Sequence, residues 1–274
     1  MTKKFGQNFL LSTPIRQKIV SLLDLEEGQT VLEIGPGIGS ITTLLLDEKV
    51  QLTAFEIDRG FCRILEEEAF VDEPSFTLVE GDALKTLFTY LKRVGTPDRI
   101  CGNLPYNVGT ILVAKILESS HRPPVMVFTL QKEVADRLGA QERSKEWAAL
   151  SLLAQMDYEV TTPLMIAPGN FYPPPQVESS VVRFTLREQS MVAQHLRPAF
   201  LLLIRDLFAQ KRKTILNNVR RGKSGALVGK EGVSRLFTES GVDPQKRAEA
   251  LGWEEFLALS AALYTHSTNR SDDR

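Results

Sequence analysis

The chain is short of the residues that most readily announce a function. It has two cysteines, Cys62 and Cys101. That is too few for a disulfide framework, and their spacing matches no metal-binding pattern. Both are expected to be reduced and buried. Three histidines, His121, His195 and His266, lie far apart, so no metal site is expected. No apolar run approaches the roughly 18 residues of a membrane helix. Lys3-Lys4 is followed by polar Gln7 and Asn8, which interrupt any apolar signal region. A cytoplasmic protein with no membrane partner is the expectation. There is no internal repeat and no low-complexity stretch. The formal net charge is −1, lacking the basic balance of most nucleic-acid binders.

The distribution of charge matters more than its sum. Residues 197 to 247 hold twelve Lys/Arg against four Asp/Glu, a local excess of eight positive charges. The first eighteen residues carry Lys3, Lys4, Arg16 and Lys18 and no acid. The middle is acidic and both ends are basic. A phosphate backbone responds to the local field, since charges are screened beyond about 8–10 Å at cellular salt. Apolar residues make up 43% of the chain, enough for a sizeable core.

Strand-like and helix-like segments alternate from Thr30 to about Arg187. Strands are expected at Thr30–Ile34, Leu52–Ile57, Phe76–Val79, Arg99–Cys101 and Val125–Leu130. Helices are expected at Ser40–Asp47, Phe61–Phe70 and Thr110–Ser119. This alternation predicts an α/β domain, a mostly parallel sheet covered by helices on both faces. Tyr158–Thr162 and Ser180–Leu186 read as a later antiparallel addition. From Pro198 onward the spacing is helical, with an apolar stripe at Phe200, Ile204, Leu207 and Phe208. A boundary near residues 188–197 divides the chain into a domain over 1–187 and a small, basic, all-helical domain over 188–274. The polar tail from His266 to Arg274 is expected to be disordered.

Val31 to Gly39, with Glu33, Gly35, Gly37 and Gly39, reads as strand, tight glycine turn, helix. Glycine permits positive φ and close approach of a ligand. A phosphate-binding P-loop needs a terminal Gly-Lys-Ser/Thr, which is missing. A dinucleotide fingerprint needs G-x-G-x-x-G, and the spacing here is G-x-G-x-G. The segment resembles the loop of class I methyltransferases, whose ligand is cationic and suits nearby carboxylates. A glycine turn with no ligand also remains open on this segment alone. Two further acids favour a nucleoside ligand. Glu56 ends the second strand, where a carboxylate can accept ribose hydroxyls. Asp82 follows the third strand, and in methyltransferases an Asp there accepts the adenine amine.

Asn103-Leu104-Pro105-Tyr106 follows the fourth strand and is similar to the tetrad of enzymes that methylate amino groups of bases. The N6 lone pair of adenine is delocalised into the ring and is a poor nucleophile. An amide oxygen from Asn103 and the carbonyl of Leu104, both accepting from N6–H, favour a pyramidal nitrogen. Pro105 fixes φ and holds that carbonyl in place. Tyr106 offers a π-face for an extruded base and its developing charge.

With these motifs in hand, nearly the whole chain resembles the ribosomal RNA adenine N6-dimethyltransferases that act on the small subunit. Lys3 to Leu10 is similar to the family's entry segment, in which Asn8 and Leu10 would touch the cofactor. The resemblance implies S-adenosylmethionine as cofactor, with Glu33, Gly35, Gly37, Glu56, Asp82 and Asn103 beside it. It implies that Phe171, in Phe171-Tyr172-Pro173-Pro174-Pro175, stacks on the target adenine opposite Tyr106. It implies methylation of two adjacent adenines in a hairpin loop near the 3′ end of 16S rRNA, within a pre-small-subunit particle during ribosome biogenesis, by a monomer. Lys211, Arg212 and Lys213 match a C-terminal basic motif and would contact RNA. On a helix those three would fan over about 200°, so two would reach phosphate. The chain departs from the family in two places. The loop from Gly139 to Ala149 lacks Pro-Gly and carries Trp147-Ala148 where Tyr-Gly is common. Gln176 stands where Lys is usual. Rival readings are a large-subunit adenine methyltransferase conferring antibiotic resistance, a non-catalytic ribosome-assembly factor of the same fold, and more distantly a dinucleotide oxidoreductase. Leu104, the triple proline and Gln210-Lys211-Arg212-Lys213-Thr214 favour the small-subunit reading over the first, and intact Asn103 and Tyr106 favour it over the second.

Overall fold

A computed structural model describes residues 7–269. Lys3 and Lys4 of the basic arm, and residues 270–274 of the tail, lie outside the described residues. By contacts the chain divides into two compact units. The first comprises residues up to Asp136 together with Tyr158–Leu186, and the second Arg137–Asp157 together with Arg187 onward.

In the first unit, β1 (Phe9–Leu10) and α1 (Thr13–Ser21) lead into the alternating run β2 (Thr30–Ile34), α2 (Thr42–Asp47), β3 (Gln51–Glu56), α3 (Arg59–Arg63), β4 (Phe76–Glu80), α4 (Ala83–Val94), β5 (Arg99–Asn103), α5 (Tyr106–Glu118), β6 (Val125–Gln131) and α6 (Lys132–Leu138). A π-helical turn, Ile64–Ala69, extends α3. After α7 (Ala149–Gln155), which belongs to the second unit, come β7 (Tyr158–Ile166), β8 (Phe171–Tyr172) and β9 (Ser179–Leu186). The main sheet has the order β4-β3-β2-β5-β6-β9-β7. Neighbours from β4 to β6 are parallel, and β9 and β7 are antiparallel. The expected doubly wound architecture with an antiparallel addition is therefore present. β2, β3, β5 and β6 are almost wholly buried, as near-continuous apolar strands covered on both faces should be. The order reverses between β2 and β5, and the crevice at such a switch point is where open α/β sheets bind ligands.

Two features were not foreseen. β1 pairs antiparallel with β8, Phe9 opposite Tyr172 and Leu10 opposite Phe171. And residues 137–157, placed by sequence in the first domain, pack with the helical unit. Trp147 is 2% exposed, donates from Nε1 to the carbonyl of Leu251 at 3.0 Å, and meets Trp253 edge to face at 6.0 Å. Arg197 grips Asp157 with two hydrogen bonds of 2.9 and 2.7 Å. The divergent loop thus has a defined anchor within its own unit.

The second unit continues with α8 (Arg197–Leu207), α9 (Ile215–Arg221), α10 (Lys223–Ser240) and α11 (Trp253–Asn269). Its core includes Phe200 stacked on Trp253 at 5.9 Å and Phe208 on Phe256 at 5.9 Å. The tail expectation needs correction: α11 carries the helix through His266 to Asn269. No helix among the described residues is long and apolar enough to cross a membrane.

Candidate active site

The carboxyl ends of β2, β3, β4 and β5 open onto one cleft of about 1150 Å³, part of it open to solvent. Gly35, Gly37 and Gly39 all have positive φ, +70°, +58° and +83°, so the loop after β2 takes a path that side chains would strain. A Cβ on Gly37 would also lie 3.0 Å from the Phe9 ring. Gly102 has a different task. A Cβ there would lie 2.5 Å from the carbonyl oxygen of Ile34. Its absence lets the end of β5 close on the end of β2 and delivers Asn103 beside the glycine loop.

The cleft brings together Asn8, Leu10, Glu33, Gly35, Gly37, Glu56, Asp82 and the whole tetrad Asn103–Tyr106. Glu56 is 2% exposed. Its Oε2 accepts from Gly37 N–H at 3.0 Å, and Oε1 from Ile57 and Asp58 N–H at 2.9 and 2.8 Å. Burial raises its pKa, against the pull of those three backbone donors. Asp82 caps α4, its Oδ1 accepting from Leu84 N–H at 2.9 Å. Glu33 accepts from the Thr42 hydroxyl at 2.7 Å. Its complete burial, helped by the nearby Glu56 charge, outweighs that bond and raises its pKa from 4.5 to about 7. No Lys, Arg or His lines the cleft among the described residues. Three acids around one cleft suit a cationic ligand.

Asn103 donates from Nδ2 to the backbone carbonyl of Asn8 at 2.8 Å. Sequence reasoning gave Asn8 only a cofactor contact. The structure adds a contact to the tetrad, since the Asn8 carbonyl ties down the Asn103 amide NH2. Tyr106 opens α5 and is only partly covered. Phe171 is placed otherwise than expected: it is 3% exposed and packs in the core with Leu10, Ile166 and Val181. It does not line the cleft. It is paired with Leu10 of β1, and its exposed neighbour is Tyr172, at 59%.

Lys211, Arg212 and Lys213 are not on a helix. They form a turn between α8 and α9, and all three are exposed. Asn218 braces the turn, donating from Nδ2 to Leu207 O at 2.6 Å and Gln210 O at 3.2 Å. Thr214 then caps α9. The caution that three helical neighbours could not all reach phosphate therefore falls away. Arg16 of the N-terminal arm turns inward, bonding Leu11 O at 3.2 Å and Thr13 Oγ1 at 2.8 Å.

Residues 1–264 match the family described as ribosomal RNA adenine dimethylase. The chain belongs to that family. Relatives include the ribosomal RNA small subunit methyltransferase A of Treponema denticola, 38% identical over 262 residues, covering 95% of this chain and 88% of the relative. The protein of the same name from Syntrophotalea carbinolica is 37% identical, covering 96% and 97%. Among solved structures, a dimethyladenosine transferase from Plasmodium falciparum has a TM-score of 0.73 at 24% identity, covering 92% of this chain and 95% of that one. The 23S rRNA methyltransferase ErmE has a TM-score of 0.67 at 22% identity, covering 93% and 99%. These two likenesses speak for the fold of a ribosomal RNA adenine dimethylase.

Proposed function

We propose that this protein dimethylates N6 of two adjacent adenines in a hairpin loop near the 3′ end of small-subunit ribosomal RNA, using S-adenosylmethionine, in a pre-small-subunit particle. The observation that carries this reading is the Asn103 amide, tethered at Nδ2, at the edge of a cleft lined by the three carboxylates Glu33, Glu56 and Asp82. The names of the relatives favour the small subunit as substrate.

The residues present fit that cofactor. Glu56 offers two carboxylate oxygens to ribose hydroxyls, and Asp82 an acceptor to an adenine amine. Glu33, once ionised, adds negative charge beside the glycine loop. When bound, S-adenosylmethionine supplies an electrophilic methyl group on a sulfonium. The chain does the rest by positioning and electrostatics. Asn103 Oδ1 and the Leu104 carbonyl accept the N6 hydrogens and so localise the lone pair. Pro105, with φ −58° and ψ 135°, sets the direction of the turn. Tyr106 supports the extruded base and its positive charge. The basic turn at 211–213 holds RNA backbone.

The test incubates the protein with labelled cofactor and either unmodified small subunits or unmodified large-subunit RNA, then maps the labelled adenines. Paired dimethyladenines near the 3′ end of the small-subunit RNA are expected. Label confined to large-subunit RNA would overturn the reading.

A further inference from the structure

The hydroxyl of Tyr106 forms a hydrogen bond with the hydroxyl of Ser179, 73 residues further along the chain. The two ends of this bond differ in freedom. Tyr106 stands at the first position of α5, on the wall of the cleft. A tyrosine ring there can swing about two side-chain bonds. Ser179 is fully buried and opens β9, in register with Gln131 of β6 on one side and Ile166 of β7 on the other. A serine held between two strands makes a fixed anchor. The bond ties the far end of the Tyr106 ring to a buried strand end held on both sides.

We infer that Ser179 is a positioning residue for methyl transfer: through its hydroxyl it holds the Tyr106 ring at the angle on which an extruded adenine stacks. This rests on the proposed function. Ser179 itself is sealed from the cleft and meets no reacting atom. Stacking geometry sets the line from N6 to the incoming methyl carbon, and misplacement by about 1 Å can cost on the order of 100-fold in rate. A bond that merely satisfied a half-buried hydroxyl would have a different signature. Breaking it would lower the unfolding midpoint and leave turnover unchanged.

Four proteins separate the two roles: wild type, Ser179→Ala, Tyr106→Phe and the double variant. Single-turnover methyl transfer to unmodified small subunits is measured at saturating cofactor, with cofactor affinity by calorimetry and thermal unfolding alongside. Each single variant is expected to slow transfer by about 10- to 100-fold. The double should be no slower than either, because both substitutions break one bond. Cofactor affinity should stay within about twofold, as neither hydroxyl is a ligand of the carboxylate wall. Tyr106→Phe keeps Ser179 and the core intact, so it decides the matter if Ser179→Ala folds poorly. Full-rate transfer by either single variant, or a double whose slowing is the product of the two, would overturn the role. A wild type that transferred no methyl group to ribosomal RNA would instead overturn the function on which the role rests.

Discussion

Replacing Asn103 with Ala removes two contacts at once, the tether to Asn8 and the acceptor for the amine. The expected result is a fall in kcat of about 100- to 1,000-fold. Little change in stability should accompany it, since the side chain stands partly exposed at the end of β5 and makes one hydrogen bond. A steady-state assay on small-subunit RNA, with thermal unfolding as control, checks both halves. Glu56→Ala should weaken cofactor binding by about tenfold or more, leaving RNA affinity nearly intact. It also strips a partner from three backbone N–H groups, so the glycine loop should loosen measurably in hydrogen exchange. Glu33 gives a pH signature. Its folded pKa of about 7 lies above its ordinary 4.5. Between those values the folded state keeps a proton that the unfolded chain releases. Its contribution to stability therefore falls as pH rises from 4.5 to about 7, and Glu33→Gln should flatten that slope. A cationic ligand favours the ionised form. Cofactor binding below about pH 7 should expel a proton and tighten as pH rises, which calorimetry in buffers of different ionisation heat will read. The acids and the tetrad were legible because each sits at or just past the carboxyl end of a recognisable strand. Ser179 was not legible. It was one hydroxyl just ahead of the strand expected at Ser180–Leu186, and its partner is 73 residues away.

At the scale of elements, local pattern and long-range pairing divide what sequence could and could not disclose. The seven strands of the main sheet carry their own apolar signatures, and all seven were found to within a few residues. β1 and β8 have two residues each, too short for periodicity, and exist only through each other. That pairing covers Phe171, which a motif alone placed at the target base. The turn at 211–213 was misread because the apolar stripe of α8 runs into a basic stretch without a break. Thr214 ahead of Ile215 was the available signal, a side chain able to cap a new helix. The 137–157 segment gives an element-scale prediction. Trp147→Ala should destabilise the helical unit by about 3–5 kcal/mol, the usual cost of emptying a large aromatic site. Denaturant unfolding followed by Trp253 fluorescence measures it, and the carboxylate-lined cleft should keep its cofactor affinity.

For the whole molecule, charge is sorted between jobs: acid around the reacting centre, base on the helical unit. A net charge of −1 conceals that division. All three cations of the 211–213 turn are exposed, so none is barred from phosphate by its orientation on a helix. Lys211→Ala with Arg212→Ala should flatten the logarithmic salt dependence of RNA binding by about 0.7 per lost contact on single-stranded RNA, somewhat more on duplex. Cofactor affinity should not move. An unchanged slope would make the turn a solvated surface.

The pairing of β1 with β8 also sets a timetable. Phe9 leaves the ribosome ahead of its partner Tyr172, which follows 163 residues later. At about 5–20 residues per second, that is a wait of roughly 8 to 30 seconds. During it the Asn8 carbonyl has no β8 to hold it against Asn103, and Tyr106 has no Ser179. The glycine loop and its acids can fold early, but the catalytic edge closes only after Ser179 and the rest of β9 emerge. A nascent chain still attached to a translating ribosome should therefore transfer methyl groups poorly until almost all of its first unit has been made.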